Sequence, residues 1–284
     1  MMKKLVKELK RTVIMLLIIS MTVTVTGMER SVYANEKTEN NNVTKNVEEA
    51  RNLIDPNFTV EDLPDELISN ANIKKKNVKG IDTVDSLDLK SFTTVNSNNT
   101  KTVHIYNEPI KFYDKKEKCI KFIDSSLKES EKSKYLYENT EGQYKIFIPQ
   151  KMEDYVLIED EDKNFIKFKP NTECKNEGKK TTYSFLGNVD DVVEYKKIFG
   201  NGYDLQYCPQ NNSVKENIII NKNNGKKEFD FIIETNGLVP DRQSGKIINF
   251  VKEGQEKDSE SNYIFSFGEL FIRDSYVGNP DGKD

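Results

Sequence analysis

Between Val193 and Ile220 the chain alternates apolar and polar residues at the period of a β-strand, and this stretch limits the possible folds more than any other. Gly200-Asn201-Gly202 supplies positions that tolerate a positive φ just ahead of Tyr203 to Tyr207. Pro209-Gln210-Asn211-Asn212 is turn chemistry ahead of Val214 to Ile220. Tyr203, Leu205 and Tyr207 share one face while Asp204 and Gln206 share the other, as in an antiparallel sheet that buries one side.

Further short strands are predicted at Val103–Tyr106, Ile110–Tyr113, Cys119–Ile123, Tyr144–Ile148 (closed by Pro149), Tyr155–Ile158 and Phe165–Phe168. Others follow at Thr181–Leu186, Phe229–Ile233, Gly237-Leu238, Gly245–Phe250 and Tyr263–Phe267. The first three are expected to form a meander, turning at Asn107-Glu108-Pro109 and through the charged loop Asp114–Lys118. Gly, Asn and Asp separate the strands, and no long amphipathic helix interrupts them after about residue 100. The expected fold class is all-β, an antiparallel β-sandwich or a pair of sandwich-like lobes.

The N-terminus reads as a secretory leader. Lys3, Lys4, Lys7, Lys10 and Arg11 precede an apolar run from Val13 to Ile19, and small residues lead to Ser31-Val32-Tyr33-Ala34. Cleavage is expected after Ala34, and no cysteine near the cut supports a lipid anchor. The alternative is a retained anchor helix, but Ser20, Thr22, Thr24, Thr26 and Gly27 dilute the segment below the roughly 18 to 20 apolar residues of a span. Removing residues 1–34 takes away six basic and two acidic side chains and shifts the net charge from −4 to about −8. That acidic balance argues against nucleic acid, and the Lys74-Lys75-Lys76 run reads as solvated surface.

Residues 35–100 are expected to be a disordered or short-helical linker. Short helices are permitted at Val47–Ile54 and Val60–Ile68, the second with Thr59 as its cap and Asp62 in its first turn, and Pro64 limiting its start. Most of Ser69–Thr102 reads as linker. Residues 101–276 form the expected sandwich region and residues 277–284 a turn-rich tail.

The organising stretch also resembles a segment of large secreted bacterial wall-associated RHS/YD-repeat proteins and their relatives with DNRLRE modules. Val193, Tyr195, Ile198, Phe199, Asp204, Leu205, Tyr207, Val214, Lys215, Glu216, Ile218 and Ile219 carry that likeness. Pro109, Ile110, Ile123, Asp124, Ser126 and Leu127 fit an earlier segment of the same family. There Ile120 stands in place of the usual Trp, and Glu117 or Lys118 in place of Gly, so the hairpin is expected to carry a longer loop and a smaller core plug. Phe229, Phe231, Gly237, Leu238, Gly245, Ile247, Phe250, Asp274 and Ser275 fit a later segment. The likeness runs from about residue 85 to 276 and covers the head region of such proteins, whose long members continue into repeats or a DNRLRE module. It implies a β-rich fold and a cell-surface setting rather than a reaction.

Chemistry-bearing residues are sparse. His104, the single histidine, sits mid-strand between Val103 and Ile105, where surface or core roles outweigh a catalytic one. Cys119, Cys174 and Cys208 match no zinc spacing; their odd number leaves at least one thiol unpaired, with one disulfide or buried free thiols as the options. Glu216 and Asp204 are the pair nominated for glycoside hydrolysis, weighed against cross-strand pairing roles for Lys215 and Glu216. Glu159–Asp162 and Asp190-Asp191 are acidic enough for Ca²⁺ but lack the D-x-[DN]-x-[DN]-G pattern, and a solvated hairpin tip explains the first. Tyr135-Leu136-Tyr137 and Tyr203 are the candidate sugar-stacking platforms, with core packing as the alternative.

The expectation is a secreted, non-enzymatic cell-surface structural or interaction module. No catalytic residue, cofactor or metal is assigned. Its partner is a cell-wall polymer or another surface protein, with no nucleic acid and no membrane span after leader cleavage. A cell-envelope polysaccharide-binding module and a secreted glycoside-active enzyme using Glu216 and Asp204 are the alternatives.

Overall fold

The computed structural model describes residues 17–24, 58–82, 88–183, 189–222, 224–241, 247–255 and 262–273. In chain order the strands are β1 (Leu17–Thr24), β2 (Val78–Asp82), β3 (Ser91–Asn96), β4 (Lys101–Ile105), β5 (Lys111–Asp114), β6 (Cys119–Phe122) and β7 (Asp124–Glu129). There follow β8 (Tyr135–Glu141), β9 (Tyr144–Pro149), β10 (Val156–Asp160), β11 (Phe165–Pro170), β12 (Lys179–Tyr183), β13 (Val189–Tyr195) and β14 (Tyr203–Gln210). The last are β15 (Ser213–Ile220), β16 (Phe231–Thr235), β17 (Leu238–Asp241), β18 (Ile248–Lys252), β19 (Phe265–Phe267) and β20 (Phe271–Arg273). The fold is all-β, built from antiparallel sheets.

Two of those sheets form a sandwich. Among the described residues the larger has nine strands in the order β12-β13-β14-β15-β1-β19-β18-β17, with β20 also paired to β1, and the smaller runs β16-β11-β10-β9-β8-β7. Alternation explains their packing. Tyr203, Leu205 and Tyr207 of β14 and Val214, Ile218 and Ile220 of β15 face inward, meeting Ile146, Ile148, Val156, Ile158, Ile166 and Phe168 of the smaller sheet in one apolar core. Phe168 marks the contact plane, its ring edge-on to Tyr207 at 5.9 Å and to Phe267 at 5.8 Å.

Gly178 shows how tightly this core closes. A Cβ there meets the Tyr195 ring at 2.8 Å and Val193 Cγ1 at 2.9 Å, and both residues are fully buried. Gly178→Ala is expected to cost about 1 to 3 kcal/mol by overpacking, read as a lower urea midpoint at unchanged m-value.

A smaller module lies in the chain between β1 and β7. Thr59 caps a 3₁₀ turn over Val60–Asp62 in a capping box with Asp62, and α1 (Asp65–Asn70) starts immediately after Pro64. Val60, Leu63 and Leu67 then pack with Phe92, Ile110 and Phe122 in a second core. The reading of Ser69–Thr102 as mostly linker is corrected here, because β2, β3 and β4 form a three-stranded sheet. Thr93 and Thr94 are buried beside Phe92, so β3 has both faces covered and shows no alternation to read.

The expected meander is corrected too. β4 pairs with β3, while β5 and β6 form a separate hairpin. The chain crosses between them through bonds from Tyr106 N–H to Lys90 C=O and Ile110 N–H to Leu89 C=O, and Pro109 has no N–H to continue a ladder. In the β5–β6 loop Lys118 adopts φ 56°, a left-handed conformation at a position flagged for lacking Gly.

Strand β1 comes from the segment read as the apolar part of a leader. It lies antiparallel to β15 along its whole length, from Leu17↔Ile220 to Thr24↔Ser213. Residues 1–16 and 25–57, including the rest of the leader and the helix expected at Val47–Ile54, lie outside the described residues, as does the tail at 277–284. Among the described residues no helix is long and apolar enough to cross a membrane.

Candidate functional site

The ribbon of β14 and β15 carries the two nominated carboxylates, so its register decides their relationship. Tyr207 pairs with Glu216 and Asp204 with Ile219. Because side chains alternate, Glu216 falls on the core face with Val214 and Ile218, whereas Asp204 falls on the opposite face with Gln206 and Asn217. The nominated pair therefore does not form a site.

Glu216 is 1% exposed and lies across from Tyr207. Burial pushes its carboxyl up to about 8, and the nearby Tyr207 hydroxyl acts weakly the other way. Neither Glu216 Oε2 nor the Tyr207 hydroxyl completes a hydrogen bond of good geometry, although the two groups are near enough to interact. Tyr207 is itself held well above the usual tyrosine range, first by burial and then by the carboxyl beside it. An uncharged acid packed among Tyr207, Val214 and Ile218 supplies neither a nucleophile nor a base at neutral pH.

Asp204 serves the turn that launches β14. Its carboxylate accepts from the backbone N–H of Lys197 at 2.8 Å, from Asn221 Nδ2 at 2.7 Å and from Lys196 Nζ at 3.1 Å. Gly200 (φ 104°) and Gly202 (φ 99°) make the left-handed bends this wrapping needs, as their sequence context predicts. Asp204→Ala strands three donors and is expected to cost about 2 to 3 kcal/mol, measured as loss of unfolding free energy in urea.

The other candidates are dispersed. His104 belongs to the small module, half-buried, stacked on Phe92 at 4.6 Å and with Nε2 3.1 Å from Thr94 Oγ1. Burial lowers its pKa. None of the three thiols is in a disulfide. Cys208 is buried, and that burial pushes its thiol up to about 11, away from thiolate chemistry. In the Glu159–Asp162 tip, Glu159 pairs with Lys163, Asp162 with Lys115, and Asp160 accepts both N–H and Nδ2 from Asn164. Asp191 pairs with Lys180 and accepts from Leu127 N–H. Among the described residues no three His, Cys, Asp or Glu side chains gather as a metal site requires.

Tyr203 is corrected as a platform. It is 2% exposed, and its hydroxyl accepts from the N–H groups of Asn224 and Lys226. Tyr135 and Tyr137 are half-buried, Tyr135 against Phe147 and Tyr137 against the sandwich core.

Sequence reasoning missed a different aromatic. Half-buried Tyr155 has Lys167 and Lys169 over its ring at 4.8 and 4.6 Å, and its hydroxyl donates to Glu234, which also pairs with Lys167 at 2.7 Å. The Lys-Phe-Lys alternation of β11 is the only signal for it in the sequence, and Glu234 joins through the β11–β16 register. No family model, curated protein or solved structure matches the chain.

Proposed function

We propose that the chain is an exported, non-enzymatic interaction module of the bacterial cell surface, working by binding another surface protein through its sandwich. The observation that carries this reading is the fate of Glu216. The acid best suited by type to a hydrolase is sealed in the core opposite Tyr207, and its nominated partner Asp204 is spent on a turn across the sheet. His104 and the buried Cys208 are likewise engaged in packing. The leader-like N-terminus and the acidic mature charge support the extracellular setting.

Cell fractionation combined with the N-terminal mass of the chain tests the proposal. A surface-associated form beginning at Asn35 is expected. A cytosolic form beginning at Met1 or Met2 contradicts it.

A further inference from the structure

The strand at the centre of the larger sheet is the one that leader cleavage removes. β1 is hydrogen-bonded on one side to all of β15, and on the other to β19 (Val23↔Phe267, Thr24↔Ser266) and β20 (Ile18↔Arg273, Ile19↔Ile272, Ser20↔Phe271). Among the described residues no other strand joins the β12–β15 half of the sheet to the β17–β19 half.

Take β1 away and the two walls do not match each other. β15 and β19 are both antiparallel to β1 and so parallel to one another, about two strand spacings or roughly 10 Å apart. Closing that gap means sliding half the sheet across the smaller one. Leaving it open exposes the backbone polar groups along one edge of β15, a strand whose Val214, Ile218 and Ile220 belong to the core. The far wall is apolar as well. Leu270, Phe271 and Ile272 are 53%, 52% and 60% exposed even with β1 seated, leaving surface for a partner's body to cover.

We propose that this slot is a strand-acceptor site. In the exported form, which rests on the reading above, it receives an extended strand from another surface protein. That strand runs antiparallel to β15 and carries apolar side chains at the alternate positions facing Val214, Ile218 and Ile220. The chain's own remaining tails do not fit. Neither residues 35–57 nor residues 274–284 contain eight residues with an apolar one at every second position. The seated β1, with Leu17, Ile19 and Val23 at the register positions of Ile220, Ile218 and Val214, defines the pattern the partner supplies.

The test uses the full chain with a protease site inserted after Ala34. After cutting, a labelled synthetic peptide of the Leu17–Thr24 sequence, flanked by lysines for solubility, is added and the freed 1–34 fragment is removed. The peptide is expected to enter at one per chain and to slow amide exchange across Ser213–Ile220 at least about tenfold relative to the stripped chain. The same peptide with Ile19→Asp and Met21→Asp is expected not to enter. Failure of the first peptide to bind, or full protection of Ser213–Ile220 in a stripped monomer, overturns the proposal. A stripped chain that dimerises and refuses peptide assigns the slot to a second copy and also overturns it.

The N-terminal mass of the exported chain separates the two readings. Cleavage at Ala34 without peptide uptake removes the slot alone. A surface form that retains Leu17–Thr24 fills its own slot and removes both the slot and the cleaved leader.

Discussion

Between pH 5 and 7 the protein is expected to lose about 1.4 kcal/mol of stability per pH unit through Glu216, and the Glu216→Gln variant is expected to lose none of it. In the fold the carboxyl is held up to about 8, against 4.5 for the unfolded chain. The native state therefore keeps a proton that the unfolded state releases. This contribution is complete below about pH 4.5 and drains away as the pH climbs to about 8, a few kcal/mol in all.

Two other groups act in the opposite sense. His104 is depressed by burial, so its contribution is lost as the pH falls from the ordinary histidine range. Lys111, pushed down to about 7 by burial, adds stability only as the pH rises from about 7 toward 10.5. Tyr207 stays protonated throughout this range. The wild-type profile should therefore descend through neutrality and recover above about pH 8 through Lys111, until the raised Cys208 thiol and then the raised Tyr207 hydroxyl oppose it above about pH 9, while Glu216→Gln removes the descent. Urea titrations at fixed ionic strength across this range measure it, and parallel slopes in the two proteins would refute the buried, uncharged carboxyl.

Phe168→Ala is the second large effect, expected at about 3 to 5 kcal/mol. The ring has no exposure and touches Tyr207 of β14 and Phe267 of β19, residues on either side of β1 in the larger sheet. Truncation leaves a cavity where the two sheets meet, and neither sheet relaxes into it without breaking its ladder. For a domain with typical stability of about 5 to 15 kcal/mol this approaches global unfolding. Amide exchange should accelerate together in β9–β11 and in β13–β15, because one core serves both. Loss of protection confined to the smaller sheet would mean that the sheets are stabilised separately.

Where alternation or turn chemistry was strong, the sequence alone located the structure. β9, β11, β14, β15 and β19 begin within two residues of the expected strands, and Gly200 and Gly202 take the positive φ their context demands. Pairing was less legible. Pro209 reads as turn chemistry but lies in β14 opposite Val214, tolerated because the β13 ladder ends at Tyr207 and asks no N–H of it. β7 and β8 were missed because Asp124-Ser125-Ser126 and Glu138-Asn139-Thr140-Glu141 look like loop. Only Ser125, Leu127 and Asn139 are buried there, and Asn139 bonds to the backbone of Tyr144 and Ile146.

The site followed the same division. That Glu216 and Lys215 point to opposite faces is a matter of strand period and was readable. Which face was buried deeply enough to neutralise a carboxyl depended on the smaller sheet packing over Tyr207, which no local pattern encodes. β1 was the hardest to foresee, since an apolar run behind five basic residues satisfies the pattern of a leader and of a buried strand equally.

The role proposed for the ribbon's acids is to serve the sandwich and to break no bonds. Incubating the folded protein with purified cell-wall glycan and counting new reducing ends tests this most directly. No release above background is predicted, for the wild type and for Glu216→Gln alike. Steady release by the wild type that vanishes in a folded Glu216→Gln variant would contradict it.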